Sequence, residues 1–131
     1  MPFFLILFVN GIPLLAQTTK PCVSSFRLTN DEARILLYLT PSAIDARRAG
    51  TDVDIEPSKP TEQYPAANFF LATLVSQKPT QGSALGNGVL GAFIVDKRTG
   101  EVDFMGDFTP VQGKVLNRVR GWLLHSHCGD R

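Results

Sequence analysis

The stretch from Gly86 to Met105, GNGVLGAFIVDKRTGEVDFM, constrains the fold more than any other because it specifies a β-hairpin. Val89 to Val95 is an almost uninterrupted apolar run. Glu101 to Met105 alternates, with Val102 and Phe104 on one face and Glu101, Asp103 and Met105 on the other. Between them lies Asp96-Lys97-Arg98-Thr99-Gly100. The Asp carboxylate can accept amide protons two or three residues on, and Gly100 can take the left-handed conformation that closes a short loop. A hairpin alone is marginal in water, so the rest of the chain must supply further strands and a cover for the apolar face.

Two upstream segments supply those strands. Residues 67–76 carry Phe69, Phe70, Leu71, Leu74 and Val75, which suit a buried strand or a short helix. Pro65 and Pro79 limit the segment to about ten residues, and its aromatics favour a strand. Asp52-Val53-Asp54-Ile55-Glu56 alternates strictly, placing Val53 and Ile55 inward and three carboxylates outward. The acids lack the glycine and distal glutamate of an EF-hand loop. A solvated edge strand, whose charges discourage edge-to-edge pairing, accounts for them better than calcium. Glu56 to Pro65 holds three prolines and no apolar period, as expected of a surface loop.

Helices flank the strands. Thr29-Asn30-Asp31-Glu32 has the form of a capping box, and Ala33, Leu36, Leu37 and Leu39 give the helix behind it an apolar face. Pro41 stops or restarts that helix, because Thr40-Pro41-Ser42 is itself a cap followed by a first-turn proline. Arg47 and Arg48 suit a last turn, with Gly50 closing it. Thr109-Pro110 repeats the starting signal, and Val111, Val115, Val119, Trp122 and Leu123 are expected on the buried face of a C-terminal helix.

The ends carry an address. Phe3 to Val9 is an apolar run too short to cross a ~30 Å hydrocarbon layer, and Gly11, Pro13 and Leu14-Leu15-Ala16 follow it. Residues 1–16 are therefore expected to be a signal peptide, leaving 17–131 as one α+β domain that is secreted or periplasmic. In an oxidising compartment Cys22 and Cys128 are expected to pair. Their loop of about 106 residues corresponds to about 4.7 kcal/mol of removed chain entropy. The net charge of +1 gives no electrostatic reason to expect nucleic acid, and no membrane contact is expected once the signal is removed.

No spacing in the chain amounts to a catalytic signature. Gly86-Asn87-Gly88-Val89-Leu90-Gly91 matches G-x-G-x-x-G, but a strand rather than a helix follows it, which removes the helix N-terminus that a pyrophosphate needs. No Gly-x-Ser-x-Gly elbow occurs. His125-Ser126-His127-Cys128 contains metal-ligating types, but Cys128 has a partner in Cys22 and no fourth ligand is spaced nearby. Neither a cofactor nor a metal is expected, with His125 and His127 as the alternative ligands.

The segment Ala92-Phe93-Ile94-Val95-Asp96-Lys97-Arg98-Thr99-Gly100-Glu101-Val102 resembles the terminal hairpin of small bacterial cystatin-like and NTF2-like modules, including PepSY-type domains and NTF2-fold immunity-type proteins. The early helix, the proline-containing loop and the aromatic strand are similar too. The cystatin inhibitory signature Gln-x-Val-x-Gly is absent, so cysteine-protease inhibition is not carried over. The expected fold is α+β: an N-terminal helix packed on a three- to four-stranded antiparallel sheet, with a C-terminal helix. The expected function is a non-enzymatic protein-binding module of inhibitor or immunity type. Its hairpin tip, Asp96, Lys97, Arg98, Thr99 and Gly100, is expected to meet another protein. The rival reading is a small exported hydrolase or metal-binding protein that uses the C-terminal His/Cys cluster.

Overall fold

The computed structural model describes residues 26–77 and 88–128. The expected signal peptide, Cys22, Gly86 and Asn87 lie outside the described residues. The described chain is α+β, with three helices and one four-stranded antiparallel sheet.

Helix α1 (Asn30–Tyr38) begins where the capping box places it. The Thr29 hydroxyl accepts the Glu32 amide at 3.1 Å, and Glu32 Oε1 accepts the Thr29 amide at 2.9 Å. Helix α2 (Pro41–Arg48) starts directly on Pro41. Thr40 occupies its N-cap position, but the buried hydroxyl donates to the Leu37 carbonyl at 2.8 Å instead of capping α2. The hydroxyl thereby satisfies the frayed end of α1, and the proline supplies the second start. Past the C-cap Ala49, Gly50 takes φ +88°, the left-handed stop its position predicted.

The strands are β1 (Val53–Pro57), β2 (Phe69–Ser76), β3 (Val89–Asp96) and β4 (Val102–Phe104), in spatial order β1-β2-β3-β4. Residues 67–76 thus contribute a central strand, as their aromatics suggested. The register sets Ile55 opposite Leu74, Ala72 opposite Phe93, Phe70 opposite Val95, and Val95 opposite Val102. These positions share one face of the sheet. They form the core with Ala33, Leu36 and Leu37 of α1, Ala43 of α2, and Leu28. Phe93 and Phe104 meet there at 5.0 Å between ring centroids. Fully burying a side chain such as Phe93 contributes roughly 1.5–3 kcal/mol.

The C-terminal helix departs from expectation. Helix α3 spans Lys114–Cys128 and not the turn from Pro110, because residues 109–111 are committed to the free edge of β4. Pro110 bridges Asp103, and the Val111 amide donates to the Val102 carbonyl at 2.8 Å. Val111 is buried, but as part of this extended segment. The buried stripe of α3 is rotated accordingly. Leu116 is fully buried, with Val119 and Leu123 packed beside it, whereas Val115 and Trp122 face outward. No described helix is long and apolar enough to cross a membrane.

Candidate partner-binding face

The turn between β3 and β4 is held from all sides. The Asp96 carbonyl accepts the Gly100 amide at 2.7 Å, and Gly100 has φ +78°. Asp96 Oδ1 accepts the Arg98 amide at 2.9 Å, while Arg98 Nε and Nη2 each donate to that carboxylate at 3.0 Å. This bonding, and then the nearby negative charge, raises the Arg98 pKa above its ordinary value.

The five tip residues divide into two groups. Lys97 points inward: its Nζ donates to Asn30 Oδ1 at 2.9 Å, its amide donates to the Asn68 carbonyl, and its carbonyl accepts the Leu28 amide. The Gly100 carbonyl accepts Arg120 Nε from α3 at 2.9 Å. Lys97 and Gly100 therefore anchor the hairpin to the N-terminal segment, α1 and α3. Arg98 and Thr99 face solvent, with Asp96 fixing the direction of Arg98.

From Arg98 a row of aromatic rings runs across the side of the sheet opposite the core. The Arg98 guanidinium carbon lies 5.1 Å over the Phe69 ring. Tyr64 meets Phe69 edge-on at 5.1 Å and 87°, and stacks with Phe108 at 6.3 Å and 26°. Strand alternation puts Phe69 on the same face as Leu71, which pairs with Ile94. That pair is only 6 % and 3 % exposed, so the middle of this side of the sheet is covered and not open to solvent.

Phe108 completes the row in an unusual backbone. Its amide donates to the Phe104 carbonyl at 2.9 Å, the Phe104 amide donates to the Thr109 carbonyl at 2.9 Å, and Phe108 has φ +58°. Phe108 and Thr109 together oppose Phe104, the pattern of a bulge whose left-handed position normally holds glycine. A phenylalanine there costs about 1–2 kcal/mol, yet its ring is 49 % exposed. The strain is not repaid by core burial. Beside it, the Thr109 amide donates to Asp107 Oδ1 at 3.0 Å, which holds the Asp107 carboxyl below its ordinary range.

Charge is divided between the two sides. Asp54 and Glu56 project from β1 onto the outer face, with Asp103 on β4, Glu62 in the Tyr64 loop and Asp107 in the Phe108 turn. The helices carry Arg34, Arg47, Arg48, Lys114, Arg118 and Arg120. The helices also carry the acids Asp31, Glu32 and Asp45, and Arg98 lies over Phe69, so the outer side of a near-neutral chain leans acidic and the helical side leans basic.

The C-terminal histidines do different things. His127 Nε2 donates to Glu32 Oε2 at 2.6 Å, and its ring lies 5.2 Å from Phe26. This clamps the end of α3 to the start of α1. Burial alone would raise the Glu32 pKa, but the Thr29 amide and His127 outweigh it and hold the carboxyl below its ordinary value. His125 is exposed. Among the described residues, no group of three or more His, Cys, Asp or Glu is placed to hold a metal ion. The pairing of Cys22 with Cys128 involves a residue outside the described part.

Sequence reasoning marked Arg98 but missed Tyr64 and Phe108, and placed Phe69 simply in a strand. The available signal was a lone aromatic in each of two polar loops.

No family model matches the chain, and no curated protein matches it. The expected cystatin-like or NTF2-like membership is therefore not shown. A solved structure is similar: a chain from a type VI secretion system effector-immunity complex of Pseudomonas protegens. It aligns with TM-score 0.56 and 18 % identity, over 87 % of this chain and 86 % of that one. What the two chains share is the α+β fold.

Proposed function

We propose that this chain is a non-enzymatic, protein-binding module of the immunity type, which docks on an effector protein and blocks it. One observation carries the reading. The row of Arg98, Phe69, Tyr64 and Phe108 is assembled outside the core, and its last member is held in a strained backbone while its ring stays half-exposed. Exposed aromatics and arginine on a rigid sheet suit partner binding. Strain that the core does not require points to function. The fold likeness to a chain of an effector-immunity complex supports the same reading. The apolar run and small residues of 1–16 support export, with action in the periplasm or outside the cell.

The test is a contact-dependent competition in the native host. A strain lacking the chain should be outcompeted by its parent, and expressing the full chain should rescue it. Equal fitness in contact would refute the immunity reading.

A further inference from the structure

We propose that the row of rings on the outer side of the sheet, from Tyr64 and Phe69 to Phe108, is the docking surface, and that the partner presents a basic segment there. Its arginine or lysine side chains would lie on the rings and against Asp107, Glu62 and Asp103. This inference rests on the binding role proposed above and names the surface and the chemistry of the partner.

Three independent features point the same way. First, the face already holds one cation on a ring: Arg98 lies 5.1 Å over Phe69, inside the range at which a guanidinium is attracted to an aromatic face. Phe108, at the far end of the row, stacks on Tyr64 and is 49 % exposed, so a second cation can reach it from solvent. Second, the exposed carboxylates Glu62 and Asp107 lie two residues before Tyr64 and one before Phe108, Glu56 and Asp54 lie further along the same face of the sheet, and the helices carry six basic residues against the acids Asp31, Glu32 and Asp45. A cationic segment is drawn to the first side and repelled from the second. Third, Phe108 occupies a left-handed position that glycine would fill without strain, so the fold tolerates the ring without needing it.

The helical side offers the competing surface, because Trp122 is 67 % exposed on α3 beside Val115. Its neighbours Arg118 and Lys114 are cationic, which suits an acidic occupant.

The test uses the full chain and an oligo-arginine peptide, with an oligo-glutamate peptide as control, followed by amide shifts in NMR at low salt. Saturable shifts centred on Tyr64, Asp107 and Phe108 are expected with the arginine peptide only, and they should vanish in Phe108→Gly. Shifts centred on Trp122, shifts that persist in Phe108→Gly, or no shifts at all would overturn the proposal. So would self-association of the chain through this face, read by light scattering. The competition assay separates the two levels. If the unaltered chain fails to rescue, the immunity reading falls. If it rescues, and Phe108→Gly and Asp107→Lys rescue equally well, only the docking surface falls. The expected result is at least a tenfold loss of affinity for the oligo-arginine peptide in each variant, with Trp122→Ser unchanged.

Discussion

Arg120 Nε of α3 donates to the Gly100 carbonyl at 2.9 Å, joining the last helix to the hairpin turn across twenty residues of sequence. The approach is close enough that a Cβ on Gly100 would lie 2.8 Å from Arg120 Cγ. Burial lowers the Arg120 pKa, and the charge of Glu101 opposes that shift. The turn and the helix are therefore one packed unit.

Gly100→Ala should cost about 2 kcal/mol, since it combines a left-handed alanine with an overpacked contact. Arg120→Ala relieves the contact, so in the double variant the penalty should shrink toward that of the backbone alone. Urea denaturation of the two single variants and the double variant measures the coupling, and strict additivity would argue against a shared contact.

The buried stripe of α3 can be checked directly. Leu116→Ala should destabilise by about 3 kcal/mol, as expected for a fully buried leucine. Trp122→Ala should stay within about 0.5 kcal/mol, as for an exposed position. The reverse ranking in thermal unfolding would restore the stripe expected from sequence.

Glu32 links stability to pH. Its carboxyl is held below the ordinary value in the folded chain, so its contribution is fully present above the unfolded-state pKa and is lost as pH falls through the folded-state value. Glu32→Gln keeps an oxygen for the Thr29 amide but removes the charge beside His127. The stability gap between the parent and this variant should therefore narrow as pH falls from about 5 toward 3. Denaturant midpoints at several pH values give the curve, and a constant gap would exclude the linkage.

Phe108→Gly should leave stability unchanged or raise it by up to about 1 kcal/mol, because it relieves a left-handed side chain. A large loss in calorimetric stability would instead make Phe108 a structural residue.

Phe26 lies against His127, and Cys22 is four residues upstream of Phe26 while Cys128 follows His127. Four residues can span roughly 14 Å, more than the Cα separation a disulfide needs. If the chain is exported as proposed, both cysteines should resist alkylation until reduced, as read by intact mass, and Cys128→Ser should lower stability by about 2–4 kcal/mol. Free thiols in protein recovered from its host would disprove the staple.

What the sequence by itself determined lies within short spans. Thr29 and Glu32 close a capping box over three residues, Pro41 restarts a helix in place, Gly100 closes a turn, and Val53 and Ile55 turn inward by alternation alone. Each follows from backbone geometry, which acts between near neighbours. Tertiary structure decided what depends on distant partners. Pro110 and Val111 could have begun a helix, but pairing with β4 satisfied their backbone first and rotated the face that α3 buries. Lys97 reads as a turn residue, but Asn30, at a sequence separation of 67, draws its ammonium inward. The binding row joins Tyr64, Phe69, Arg98 and Phe108 because sheet register brings their turns to one side. No local spacing encodes that meeting, since burial and ring contact are settled by which strands lie side by side.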